Sequence, residues 1–302
     1  MDDDCAMYKQ ALLDRLAGSY RDGAWSYSAG KSPAVEPTCW AALALRSHDW
    51  EPDKARQALD WLASTQRDDG SLPVITSAES PCWATGLAVV AWRLAAKDDG
   101  ARHHTNIERA VDWLVSVRGT QLAPNPAVFG HDTSLIGWPW VDGTHSWVEP
   151  TAYAVLALRA AGREDHPRAR DGVRLLLDRA ISGGGWNYGN TRTFEKTLRP
   201  FPGPSGVALT ALTGEHADSR IEAGIAYLER ELTGVRSPMS LAWGLIGLSA
   251  WGRRPPQAEQ WLAESCSRTL RQAPLALHDA LLLLASANRC LMLVDAVGAI
   301  HG

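Results

Sequence analysis

Six stretches of the chain carry apolar residues at helical spacing on one face and charged residues on the other: 8–16, 53–65, 106–117, 168–180, 220–232 and 257–270. That period predicts amphipathic helices lying against a core. Between them run six stretches almost without charge, rich in Ala, Leu, Gly and Val, at 38–46, 82–95, 151–160, 205–212, 239–250 and 275–288. A helix that is apolar all round is buried on all sides. The connectors hold Gly, Pro and aromatic residues, as in Arg21-Asp22-Gly23-Ala24-Trp25 and Gly183-Gly184-Gly185-Trp186, and no segment reads as a strand. Outer amphipathic helices alternating with inner apolar ones close into a double ring, so the pattern predicts an all-α fold, an (α/α)6 barrel of about six outer/inner helix pairs. With no linker between pairs, residues 1–302 are expected to form a single domain.

The pairs repeat in sequence as well as in pattern. Ala58-Leu59-Asp60-Trp61-Leu62-Ala63-Ser64 matches Ala110-Val111-Asp112-Trp113-Leu114-Val115-Ser116. The inner helices share a start: Glu36-Pro37-Thr38-Cys39-Trp40-Ala41, then Glu149-Pro150-Thr151-Ala152-Tyr153 and, more loosely, Glu79-Ser80-Pro81-Cys82-Trp83-Ala84. Proline suits the first turn of a helix, and a carboxylate suits the positive end of its dipole. The acid therefore has two readings, a cap on free backbone N–H groups or a functional carboxyl at the barrel mouth. The longest irregular stretch, 119–147, is unusual for a compact fold and is a candidate functional loop. It leads through Trp138, Trp140 and His145 to Trp147.

Composition narrows the classes. Hydrophobic content of 45% with 21% charged residues is that of a folded soluble chain. A formal net charge of -4 leaves no basic footprint, so no nucleic-acid partner is expected. The start Met1-Asp2-Asp3-Asp4-Cys5 is acidic where an export signal is basic and then apolar, which points to the cytoplasm. The longest apolar run, near 280–287, is too short for a bilayer, which needs roughly 20 residues; peripheral membrane contact stays open. Cys5, Cys39, Cys82, Cys266 and Cys290 are widely spaced without a CxxC pair and read as free thiols. The acid pairs Asp68/Asp69 and Asp98/Asp99 fall in turns and read as solvated.

The 14 Trp against 3 Phe and 6 Tyr are a skewed aromatic set. Trp25, Trp40, Trp83, Trp138, Trp140, Trp147, Trp186 and Trp243 lie on connectors or inner helices, where they can line a central cavity. Such a lining suits a hydrocarbon chain and stabilises a passing carbocation through the ring faces. Trp61, Trp92, Trp113 and Trp261 read as packing between the rings. No phosphate loop or Gly-x-Ser-x-Gly elbow is present. A carboxylate pair of the α/α-barrel glycosidase kind stays open, because its separation is read only from structure.

These residues resemble the squalene-hopene cyclase and protein prenyltransferase superfamily, a terpenoid cyclase-like α/α toroid. Its QW-type repeat, Gln-x-x-x-Gly-x-Trp, is matched in part: Gln66 and Gly70 stand with Leu72 in place of Trp, and Gly23/Trp25 and Gly184/Trp186 stand without the Gln. Class II cyclases of the superfamily carry Asp-x-Asp-Asp-Thr-Ala before an inner helix, and the middle Asp protonates an alkene or epoxide. Laid on this chain, the motif puts Trp147 at the first Asp, Glu149 at the middle one, Pro150 at the last, and Thr151-Ala152 on Thr-Ala. The resemblance implies Glu149 as general acid, with His145 one helical turn behind it as hydrogen-bond partner. It implies Trp138, Trp140 and Trp147 at the cavity mouth, and Trp40, Trp83, Trp186, Tyr153, Glu36 and Glu79 as further ligand-binding positions. The ligand it implies is an apolar small molecule of isoprenoid type, turned over without a cofactor.

Two alternatives accompany this reading. One is a non-catalytic binding or accessory module with a degenerate acid motif. The other is a zinc-dependent prenyltransferase β-like subunit, in which Cys39 and Cys82 with Glu36, Glu79 and His145 would hold the metal and an α partner would be wanted. No protein partner is legible in the chain itself.

Overall fold

The computed structural model describes residues 2–95, 101–215 and 218–287. Their helices are α1 (Asp2–Gly18), α2 (Val35–Ser47), α3 (Pro52–Thr65), α4 (Thr85–Ala95), α5 (His104–Ser116), α6 (Val148–Ala160) and α7 (Pro167–Asp178). A two-residue hairpin, β1 (Arg192–Thr193) and β2 (Lys196–Thr197), precedes α8 (Pro202–Ala211), α9 (Ser219–Glu231), α10 (Pro238–Ala250), α11 (Ala258–Leu270) and α12 (Ala276–Ser286). The hairpin is the one departure from the expectation of no strand. Phe194 and Glu195 make its turn with positive φ. Asn288, the Asp98/Asp99 pair, Cys290 and the Cys5 side chain lie outside what is described. Among the described residues no helix is long and apolar enough to cross a membrane.

The even-numbered helices form a closed inner ring in which α2 packs on α4, α4 on α6, α6 on α8, α8 on α10, α10 on α12, and α12 back on α2. The odd-numbered helices lie outside them, and α1 completes the outer ring against α11 and α12. This is the all-α (α/α)6 toroid that the alternating pattern predicts. Inner helices are apolar all round because both their faces are covered; in α2 every residue from Val35 to Leu45 is buried. The tightest inner contact runs through glycine. A Cβ on Gly206 of α8 would lie 2.1 Å from the Trp243 carbonyl oxygen, and a Cβ on Gly247 would lie 2.8 Å from Gly206 itself. The seam between first and last pairs is polar: Arg15 of α1 donates from Nε to Asp279 Oδ2 at 2.8 Å and from Nη1 to the Thr269 carbonyl at 3.0 Å. Asp279 is buried in α12, a place a carboxylate occupies only when paired.

One clamp recurs at the start of four inner helices. A hydroxyl in the first turn takes the backbone N–H of a connector residue: Thr38 from Trp25 (3.0 Å), Thr85 from Leu72 (2.9 Å), Thr151 from Trp138 (3.0 Å) and Ser205 from Trp186 (2.8 Å). The same tryptophans then point outward. Trp25, Trp138 and Trp186 donate their indole N–H to the Leu16, Leu114 and Leu176 carbonyls of the preceding outer helix. Leu72 has no indole, and the α3 carbonyl of Leu59 is met instead by Trp92 from α4. The three tryptophan clamps therefore tie outer helix, connector and inner helix together in the dry interior, where an unmade hydrogen bond costs about 1–3 kcal/mol.

Thr151→Val, which keeps the side-chain shape but orphans the Trp138 N–H, is expected to lower stability by about 1–3 kcal/mol in urea denaturation. Gly206→Ala is expected to cost at least about 3 kcal/mol by the same measurement, because the obstacle is backbone and has nowhere to move.

Candidate functional site

The clamp sets the register of the helix starts and shows which residues share a level. Two residues before the hydroxyl stand Glu36 in α2, Trp83 ahead of α4, Glu149 in α6 and Gly203 in α8. Glu79 is not the third member of the acid set, because Thr85 rather than the Pro-Cys-Trp string aligns the second repeat. Glu79 is exposed on the connector, four residues before the level held by Trp83. Neither Glu36 nor Glu149 caps its helix; the N-cap positions are Ala34 and Trp147, without a side-chain cap bond.

Both acids stand at the N-terminal mouth of the inner ring, within electrostatic reach of each other. Burial pushes the Glu149 carboxyl up to about 7, and the nearby Glu36 charge pushes it the same way. Burial likewise pushes Glu36 up to about 7, against the lowering effect of Tyr27 and of the Trp40 indole that faces it. Tyr27 Oη donates to Glu36 Oε2 at 2.7 Å, and the phenol is itself pushed upward by burial and by that carboxyl. Glu149 makes no hydrogen bond, and buried Trp40 Nε1 meets no acceptor at bonding geometry. A charge on Glu36 therefore disfavours ionisation of Glu149, in the same direction as burial.

One helical turn below the acids the mouth has an aromatic floor. Trp40 and Trp243 meet edge to face at 5.1 Å, and Tyr153 lies 6.2 Å from the first and 6.1 Å from the second. Trp83 stacks on Tyr153 at 5.9 Å and carries Trp140 on its edge at 4.6 Å. Further along the inner helices Leu43, Leu156, Leu209 and Leu245 are buried. Large rings from α2, α6 and α10 thus meet across the inner ring at this level.

The other expected site residues are dispersed. Trp147 is half-buried, while His145 is exposed, lies tilted against Trp147 with ring centres 4.4 Å apart and makes no hydrogen bond to Glu149. Trp138 and Trp186 are buried wedges between the rings, and Arg168 covers the Trp138 face at 4.1 Å. Cys39 is enclosed one residue after the clamp hydroxyl of α2, whereas Cys82 sits three residues before its own, with Arg67 Nη1 at 3.3 Å from its sulfur. The two thiols are thus on different levels, and among the described residues no three His, Cys, Asp or Glu side chains gather to hold a metal. These residues do not fit a zinc centre. Tyr27 escaped the sequence reading; the signal for it is its place two residues after a clamp tryptophan, beside the acid of the next helix.

No family model matches the chain. A squalene-hopene cyclase from Alicyclobacillus acidocaldarius is 30% identical over 193 residues, which is 58% of this chain and 27% of that protein. A type II terpene cyclase from Scytonema, solved in complex with geranylgeranyl dihydroxybenzoate, superposes with a TM-score of 0.60 at 14% identity over 98% of both chains. The chain is terpenoid cyclase-like in sequence and in fold. This terpenoid cyclase-like chain spans only 16% to 27% of the length of the curated relatives it matches. A glycosidase in complex with glucose superposes as well, with a TM-score of 0.59 at 12% identity over 99% of both chains.

The raised acids have a cost in folding. A group whose folded pKa is about 7 against an ordinary 4.5 keeps a proton that the unfolded chain loses between those values, so stability falls as pH rises through that window. Glu149→Gln is expected to raise the unfolding free energy by on the order of 2 kcal/mol at pH 8 and to leave it nearly unchanged at pH 4. Urea titrations at the two pH values measure the difference.

Proposed function

We propose that the chain is an acid catalyst for an apolar, isoprenoid-like substrate, with Glu149 as proton donor and Glu36, held by Tyr27, as its partner. The observation that carries this reading is the pairing of two burial-raised carboxyls above a floor of Trp40, Tyr153 and Trp243. A carboxyl near pKa 7 is too weak an acid for a bare alkene. It is well matched to an oxygen whose C–O bond breaks as the proton arrives, so the substrate class is an epoxide or similar oxygenated polyene. The Glu149 O–H proton goes to that oxygen, and the C–O electron pair leaves with it as a hydroxyl. The carbon cation lies over the aromatic faces until an internal alkene captures it. Loss of a proton to ionised Glu36 ends the sequence, and transfer within the pair restores Glu149.

A second reading has an observation of its own. The same acid pair, with one carboxyl protonated and one ionised, is what glycoside hydrolysis needs, and glycosidase toroids are among the structural neighbours. A non-catalytic module is the outcome in which ligand binds unchanged.

Incubation with squalene epoxide, squalene, prenyl diphosphates and aryl glucosides separates these. Cyclised product from the epoxide alone is expected, with activity falling as pH rises through about 7 as the donor ionises. Glu149→Gln is expected to lower turnover by at least about a hundredfold. Release of aryl alcohol with no epoxide product selects hydrolysis, and saturable epoxide binding without turnover selects the module.

A further inference from the structure

Residues of the long loop, with Arg179, Gly189 and Asn190, line a cavity of about 160 Å3. Leu122, Phe129 and Leu135 supply apolar wall, and the polar side is made by Arg179, His131 and His145. No carboxylate lines it. Arg179 is 4% exposed, at the C-terminal end of α7. Its Nη1 donates to the Asp132 carbonyl at 3.1 Å and to Asp178 Oδ2, while Nε and Nη2 make no hydrogen bond. A buried guanidinium with donors unmade is costly unless something completes it.

The neighbouring donors are uncommitted too. His131 accepts the Thr191 N–H at Nδ1, 3.5 Å away, which leaves its proton on Nε2. Burial and the Arg179 charge hold that imidazole down at about 4, so it is neutral at pH 7. Asn190 lines the cavity with no side-chain hydrogen bond among the described residues, and the His145 ring lies tilted against Trp147. One cation, one amide and two neutral imidazoles thus converge on a space with an apolar far wall. An engineered apolar cavity of about 150 Å3 holds benzene, so the space fits one ring or its aliphatic equivalent.

We propose that this loop cavity is a binding site for a small amphipathic carboxylate of about benzoate size, its carboxylate on Arg179 Nη2 and Asn190 and its apolar body against Phe129, Leu122 and Leu135. Neither Glu36 nor Glu149 lines it, so the site stands whether or not the acid pair turns over a substrate.

Histidine-ring 15N NMR of the full chain, titrated with sodium benzoate, benzyl alcohol and inorganic phosphate, tests it. Benzoate is expected to shift the His131 and His145 signals saturably, with benzyl alcohol binding at least tenfold more weakly. Arg179→Gln is expected to weaken benzoate at least tenfold. Because Arg179 also braces the loop through the Asp132 carbonyl, Asn190→Ala serves as the second variant, with a several-fold loss and an unchanged melting temperature. Absence of a saturable shift in the wild-type chain overturns the proposal. So does equal affinity for benzyl alcohol, which removes the carboxylate, and so does binding of phosphate without benzoate, which removes the apolar body.

Discussion

A backbone N–H in a connector, accepted by a hydroxyl at an inner-helix start, governs how this toroid is built. The interaction is small, about 1 kcal/mol net when made, but leaving it unmade in a dry interior costs more. Its geometry does two things at once. It fixes the rotation of the inner helix about its axis, and it turns the tryptophan of the same connector residue outward, where the indole N–H reaches a carbonyl of the outer helix. A helix apolar all round has no amphipathic face to orient it, so the clamp supplies the orientation that periodicity cannot. Four of the six inner helices use it.

That orientation places the chemistry. Once Thr38 and Thr151 are clamped, the residue two positions earlier faces the mouth, and the residue four positions beyond that acid points the same way one turn down. Glu36 and Glu149 therefore stand directly above Trp40 and Tyr153, and Trp243 enters from α10 to complete the floor. The elevated pKa values follow from this stacking. Burial raises both carboxyls, and the Glu36 charge adds to the shift of Glu149.

The helix pairs were legible because two hydrophobic periods alternate along the chain, and in a ring of nearest-neighbour contacts that alternation leaves few other arrangements. The acid level was legible only in part. The strings Glu36-Pro37-Thr38 and Glu149-Pro150-Thr151 gave the right register, since the threonine in them is the clamp. Glu79-Ser80-Pro81-Cys82-Trp83 misled, because it resembles the first string in residue types while the aligning hydroxyl, Thr85, lies outside it. The roles of Tyr27 and Arg179 and the meeting of Trp40, Tyr153 and Trp243 were invisible to pattern. Each depends on which side chains meet across different pairs, and no local periodicity encodes that. His145 shows the converse: sequence nearness to Glu149 suggested a partnership, but the extended chain entering α6 turns its ring to Trp147 instead.

The unusual length of the loop before α6 has a structural account in the same terms. Its last ten residues, Trp138 to Trp147, do what the shorter connectors do, ending with the Trp147 N–H on the Trp138 carbonyl just as the Ala34 N–H ends on the Trp25 carbonyl. The clamp therefore does not need the segment before it. That segment reaches across to the hairpin ahead of α8, where the Gly130 N–H bonds to the Arg192 carbonyl and the Phe194 N–H to the Val128 carbonyl. Arg168 holds the return by donating to the carbonyls of Val117, Ile136 and Gly137. An insertion tied at both ends by backbone bonds, and braced by a buried arginine at each side, is a built wall rather than slack chain. It supplies most of the lining of the loop cavity, and it does so without disturbing the register that sets the two acids.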